Sequence, residues 1–122
     1  MNRKSLNHFR LMLKRQLDEL DRKSDGALSK FLDAIPRAAD PLDRASIEAE
    51  RELAIHMLER DKKLMRKIRN ALRKIESGTY GICEECGEDI DVNRLKLRPV
   101  TELCITCKRR QEKMEKLTCE QD

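Results

Sequence analysis

The sequence predicts a mainly α-helical protein: a long antiparallel helical hairpin of coiled-coil type, followed by a small four-cysteine module with a C-terminal helix. Three observations predict it. Apolar residues recur at steps of three and four through residues 6–35 and again through 47–75, the period of a helix. A proline-bearing segment, residues 36–45, stands between the two stretches and is short enough to make them antiparallel neighbours. Two Cys-x-x-Cys pairs, Cys83/Cys86 and Cys104/Cys107, then follow with seventeen residues between them. Composition agrees with this reading. Charged residues make up 41% of the 122, aromatic residues 2%, and there is no tryptophan. Such a chain can fill a narrow apolar seam but not a large core.

The first helix is carried by Leu6, Phe9, Leu13, Leu17 and Leu20, and more weakly by Ala27, Leu28, Phe31, Leu32 and Ile35. Gly26, with Ser24 and Ser29 beside it, weakens the helix locally. Pro36 ends it, because a proline pushes the residue before it out of the α region. The second helix starts with Asp40 as N-cap, Pro41 as first helical residue and Asp43 facing the positive end of the dipole. It continues through Ile47, Glu50, Leu53, Ala54, Met57, Leu58, Leu64, Met65, Ile68, Leu72 and Ile75, and stops at Ser77-Gly78, a left-handed C-cap. At about 1.5 Å per residue the hairpin is roughly 45 Å long. The expected organisation is a hairpin over residues 1–77, with an acidic tip at 36–45, and a four-cysteine domain over 78–122. A last helix is expected from about Leu103 to Leu117, beginning inside the second cysteine pair.

Each Cys-x-x-Cys turn presents two sulfurs, and the intervening loop is long enough to bring the pairs face to face. Cys83, Cys86, Cys104 and Cys107 at this spacing describe a tetrahedral structural zinc site. An iron–sulfur cluster is the other four-thiolate possibility. Disulfides suit secreted domains, and Arg3, Lys4, His8 and Arg10 interrupt any apolar leader, so a cytoplasmic location is expected. No apolar run approaches membrane-spanning length. A closed four-sulfur site has no open position for water, which argues against metal-assisted hydrolysis and for a folding role. Cys119 is a spare thiol. His8 and His56 have no nucleophile or metal partner in the pattern, and no enzymatic function is expected.

The formal charge of +4 counts the thiols as neutral. Four thiolates and one Zn²⁺ change it by −4 + 2 = −2, which leaves +2. That balance, with acids and bases interleaved, reads as solvated helix faces and weakens a reading as a nucleic-acid-binding zinc ribbon. At the tip, capping worth about 0.5–2 kcal/mol suffices to explain Asp40 and Asp43. A rigid stalk ending in carboxylates also suits delivery of charge into a narrow site, near Mg²⁺ or basic groups. Both readings can hold at once, with Asp40 capping and Asp43 free.

Several motifs resemble a known family. The tip reads Asp40-Pro-Leu-Asp43-Arg44-Ala45, and the second helix carries Arg60-Asp61, Lys63-Leu64 and Lys67-Ile68. Tyr80-Gly81-Ile82-Cys83 enters the first cysteine pair, and Arg94-Leu95 and Arg98-Pro99 lead to Leu103-Cys104-Ile105 and Cys107-Lys108. Together they look like the bacterial DksA/TraR family over nearly the whole chain. Members of that family often carry a further segment ahead of the first helix, which is not evident here. The resemblance implies a monomeric transcription regulator that binds RNA polymerase rather than promoter DNA. It implies a hairpin entering the secondary channel, with Asp40, Asp43 and Ala45 acting near the catalytic centre to destabilise promoter open complexes. It further implies ppGpp as effector at the polymerase interface, with Leu64, Lys67, Arg98 and Lys108 in its pocket. A transcript-cleavage factor of the Gre type, whose acidic hairpin tip holds a catalytic Mg²⁺, is the competing reading; the four cysteines argue against it.

Overall fold

In a computed structural model, the protein is described over residues 1–34 and 41–120, with side chains described except at 27, 28, 30–34, 42, 119 and 120. Four helices make up its order: α1 (Arg3–Ala34), α2 (Pro41–Ser77), α3 (Val92–Leu97) and α4 (Ile105–Glu120). Among the described residues there is no strand, only one antiparallel bridge between Ile82 and Asp89. The predicted stop at Pro36 and cap at Asp40 lie outside the described residues, as does the side chain of Cys119.

Local chemistry sets the helix ends. Asn2 caps α1, its Oδ1 accepting the Ser5 N–H at 2.8 Å. Gly26 does not interrupt α1, which stays helical as far as Ala34. Pro41 opens α2, where its missing N–H costs nothing. At the far end Gly78 takes φ +80°, and the Lys74 carbonyl accepts from Thr79 N at 2.9 Å and Tyr80 N at 3.2 Å. This is the glycine-terminated helix end expected from Ser77-Gly78.

The chain packs as two compact units, Met1–Leu13 with Arg69–Asp122, and Lys14–Ile68. In the second unit, segments of α1 and α2 joined through residues 35–40 pack as one body, so they run antiparallel. Its seam is heptad-like. On α1 Leu17, Leu20 and Ser24 are half-buried. On α2 Ile47, Ala54, Leu58 and Leu64 are half-buried, and Asp61, Met65 and Ile68 are buried. Leu53 and Met57 were expected on this stripe but are 62% and 45% exposed. They stand one position off the buried series, and in this stretch of α2 it is Ala54, Leu58 and Asp61 that turn inward.

The first unit buries Phe9, Leu13, Ala71, Tyr80, Ile90 and Leu95. The Phe9 and Tyr80 rings meet at 5.6 Å between centroids, a tilted pair worth about 0.5–1.5 kcal/mol beyond its buried area. The Tyr80 hydroxyl donates to the Pro99 carbonyl at 2.8 Å, and burial pushes its pKa up to about 12. The start of α1, the segment after α2 and the segment after α3 are thereby held as one body.

One helix departs from the expected pattern. α3 was not foreseen. Its six residues are too few to show a period, but Asp91 caps it by accepting the Asn93 N–H at 3.3 Å, and Leu95 is its buried anchor. α4 starts at Ile105, inside the second cysteine pair as expected, and the Leu103 carbonyl just ahead of it accepts from Arg94 Nε at 3.1 Å and Thr101 Oγ1 at 3.2 Å. The bond from Lys108 N to Cys104 O, at 2.9 Å, lies at the helix start.

Candidate metal centre

The first cysteine pair sits on a tight turn closed by two backbone bonds. Gly87 N donates to Cys83 O at 3.0 Å, and Cys83 N donates to Glu88 O at 2.8 Å. Gly87 has φ +74°, a conformation that a side chain would strain, and this lets the chain turn back after Cys86. Ile90 N then bonds Gly81 O at 2.7 Å, completing a small hairpin around the pair. The second pair is carried by the start of α4. A bond from Glu84 N to Glu102 O, at 2.9 Å, ties the two turns together, and Arg94 fixes the approach to Cys104 through Leu103 O and Thr101 Oγ1.

These bonds bring all four sulfurs within 4.8 Å of one another. Cys86 Sγ and Cys104 Sγ lie 3.8 Å apart, and the four cysteines are free of disulfide bonds. A tetrahedron with metal–sulfur bonds of about 2.3 Å has edges of about 3.8 Å, so the donor set and its spacing fit zinc. Cys83 and Cys107 are buried and Cys86 is exposed, with Cys104 between these extremes. Burial pushes the Cys83 thiol up, but N–H groups of Cys86, Cys104 and Glu85 outweigh it and bring the pKa down to about 6. Thiol hydrogen bonding with Cys104, then burial, pushes Cys107 up to about 12. One sulfur is thus ready as thiolate, while another would release its proton to solvent as a bound metal took the proton's place. Bound there, zinc would supply folding energy and cross-link the two turns.

The other predicted residues are placed as follows. Asp43 and Ala45 are exposed in the first turns of α2, while Asp40 lies outside the described residues. Leu64 is half-buried and Lys67 exposed, three residues apart on α2 within the second unit. Arg98 and Lys108 belong to the first unit. Arg98 is exposed at the end of α3, its N–H bonded to Arg94 O, and it lines a cavity of about 520 Å³ with Asp89, Asp91, Arg94, Leu97 and Ile105. Lys108 Nζ donates to Gln111 Oε1 at 3.3 Å. His8 and His56 are both exposed.

Sequence reasoning missed a group of charges beside the cysteines. Lys74 Nζ lies 2.5 Å from Glu84 Oε1 and 3.7 Å from Glu102 Oε1. The bond to Lys74 holds the Glu84 carboxyl below its usual range. A lysine in the last turn of α2 and a glutamate inside the first Cys-x-x-Cys were the only available signals.

The fold and site together define a class: a helical hairpin protein with a C4-type zinc finger. Residues 5–75 match the family described as DnaK suppressor protein DksA, N-terminal domain, and residues 78–113 match the prokaryotic dksA/traR C4-type zinc finger. The chain belongs to the DksA/TraR family. It is 38% identical over 116 residues to the RNA polymerase-binding transcription factor DksA of Escherichia coli, covering 95% of this chain and 77% of that one. The protein of the same name from Caulobacter vibrioides is 37% identical over 117 residues, covering 96% and 82%. The structure of transcription factor DksA2 from Pseudomonas aeruginosa superposes with a TM-score of 0.86 at 42% identity, over 95% of this chain and 89% of that one. Among the described residues no helix is long and apolar enough to cross a membrane.

Proposed function

We propose that this protein is a cytoplasmic regulator that binds RNA polymerase as a monomer and controls initiation without catalysing a reaction itself. The observation that carries this reading is the joint match of hairpin and finger, nearly end to end, to relatives named as RNA polymerase-binding transcription factors. In this reading residues 1–77 form the stalk and 36–45 its tip, which enters the secondary channel. Asp40, Asp43 and Ala45 act there to destabilise open complexes. Residues 78–122 form the finger. ppGpp strengthens the effect by binding at the polymerase interface, where Lys67, Arg98 and Lys108 supply charge for its pyrophosphate groups and Leu64 an apolar wall. Exposure of Asp43 supports a role beyond helix capping.

The test is multi-round transcription from a ribosomal RNA promoter with purified polymerase. The zinc-loaded protein is titrated with and without ppGpp, and Asp43→Asn is run in parallel. Repression that deepens with ppGpp and disappears in the variant, while polymerase binding persists, is the expected result. No repression from protein shown to bind polymerase overturns it. Cleavage of transcripts in backtracked complexes would favour the Gre-type reading instead, and salt-dependent binding to naked DNA the nucleic-acid-binding one.

A further inference from the structure

The end of α2 holds a charge arrangement that neither the seam nor the proposed function uses. Lys74 Nζ is buried, and its two neighbours are carboxylates, one from each cysteine turn. Glu84 lies between Cys83 and Cys86, and Glu102 lies two residues before Cys104. The same lysine's carbonyl accepts the N–H groups of Thr79 and Tyr80, where the chain leaves α2 for the first turn. A buried ammonium is costly unless its charge is matched. Among the described residues its ion-pair partners are the two glutamates that belong to the two halves of the metal site. Pulling the turns apart to open that site would part the cation from at least one of them. Four thiolates around a divalent cation also carry a net double negative charge, which a nearby cation offsets.

We propose that Lys74 is a positioning residue for the metal centre: it clamps one carboxylate inside the first Cys-x-x-Cys turn and one just ahead of the second, and so slows release of bound zinc. The inference rests on the four-sulfur site and not on the polymerase reading, so the two can fail separately.

The experiment uses the full zinc-loaded chain. Zinc content is measured first, then the rate at which a colorimetric chelator captures the metal. Acrylamide quenching of Tyr80 gives a second readout, unambiguous because the chain has one tyrosine and no tryptophan. Lys74→Met keeps the aliphatic stem and removes the charge. It is expected to bind one zinc and to release it about tenfold faster, the scale of a hydrogen bond to a charged group. Tyr80 should become more accessible to quencher in the same variant. Adding Glu84→Gln or Glu102→Gln to Lys74→Met should change the rate little further, because the three groups act as one unit. Lys74→Arg should restore slow release. Should Lys74→Met fail to fold, the double variant Glu84→Gln/Glu102→Gln, which keeps every side-chain length, carries the same expectation of fast release. Release at the wild-type rate from either variant overturns the proposal. So does strict additivity between Lys74→Met and the glutamate variants, which would show that the lysine supports α2 without clamping the centre.

Discussion

Tyr80 shows how one side chain can report on a whole unit. Its hydroxyl is a donor to Pro99 O and its ring packs on Phe9, so the neutral phenol is what the fold requires. Burial raises the pKa from 10 to about 12. The folded value lies above the unfolded one. The stability this group contributes is therefore complete below pH 10 and is lost as pH rises toward 12. Alkaline titration followed by tyrosinate absorbance should give a midpoint near 12 for the folded protein and near 10 in denaturant; equal midpoints would contradict the buried donor. Tyr80→Phe should cost about 1 kcal/mol in denaturant unfolding, since it strands the Pro99 carbonyl. The cysteines make a sharper case. Cys83→Ser leaves three sulfurs, which cannot close a tetrahedron. Zinc content should fall well below one per chain, with loss of folded signal from the finger. Stoichiometric zinc in that variant would remove Cys83 from the site.

At the scale of elements, α2 shows where local sequence suffices. Gly78 takes φ +80° with nothing within 4 Å of where a Cβ would stand, so the penalty of a side chain there is backbone strain alone. Gly78→Ala should cost about 1 kcal/mol, or about 4 °C in melting temperature. An unchanged melting curve would mean that the helix end can refold around alanine. The Ser77-Gly78 stop and the Pro41 start were legible because each is a property of two or three adjacent residues. The two long helices were legible because dozens of residues repeat one period. The choice of stripe was less so. Leu53 and Met57 satisfy the same three-four spacing as Ala54 and Leu58, and only the partner helix decides which series turns inward. α3 escaped notice because six residues carry no period, and its Asp91 cap looks like any turn aspartate. Lys74 escaped for a different reason. Its partners stand ten and twenty-eight positions away, at Glu84 and Glu102, and no spacing rule links a helix end to two loops.

For the molecule as a whole, the four cysteines are a site that spacing alone reveals, since Cys-x-x-Cys imposes its own geometry and the fold has only to bring two such turns together. The proposed effector pocket is of the opposite kind. Leu64 and Lys67 stand in one compact unit and Arg98 and Lys108 in the other, so no local pattern connects them, and only family resemblance groups them. Arg98 offers the cleanest test. Its side chain is exposed and its structural bond is made by the backbone N–H, so removing the guanidinium should leave the finger intact. Arg98→Ala is expected to keep zinc stoichiometry and polymerase affinity. Its basal repression of a ribosomal RNA promoter should change less than twofold, while the additional repression caused by ppGpp should fall about tenfold, the scale of one charge-assisted contact to phosphate. If basal and ppGpp-dependent repression fall together, Arg98 contacts polymerase rather than effector. Loss of zinc would instead mean that the side chain is needed for the finger itself.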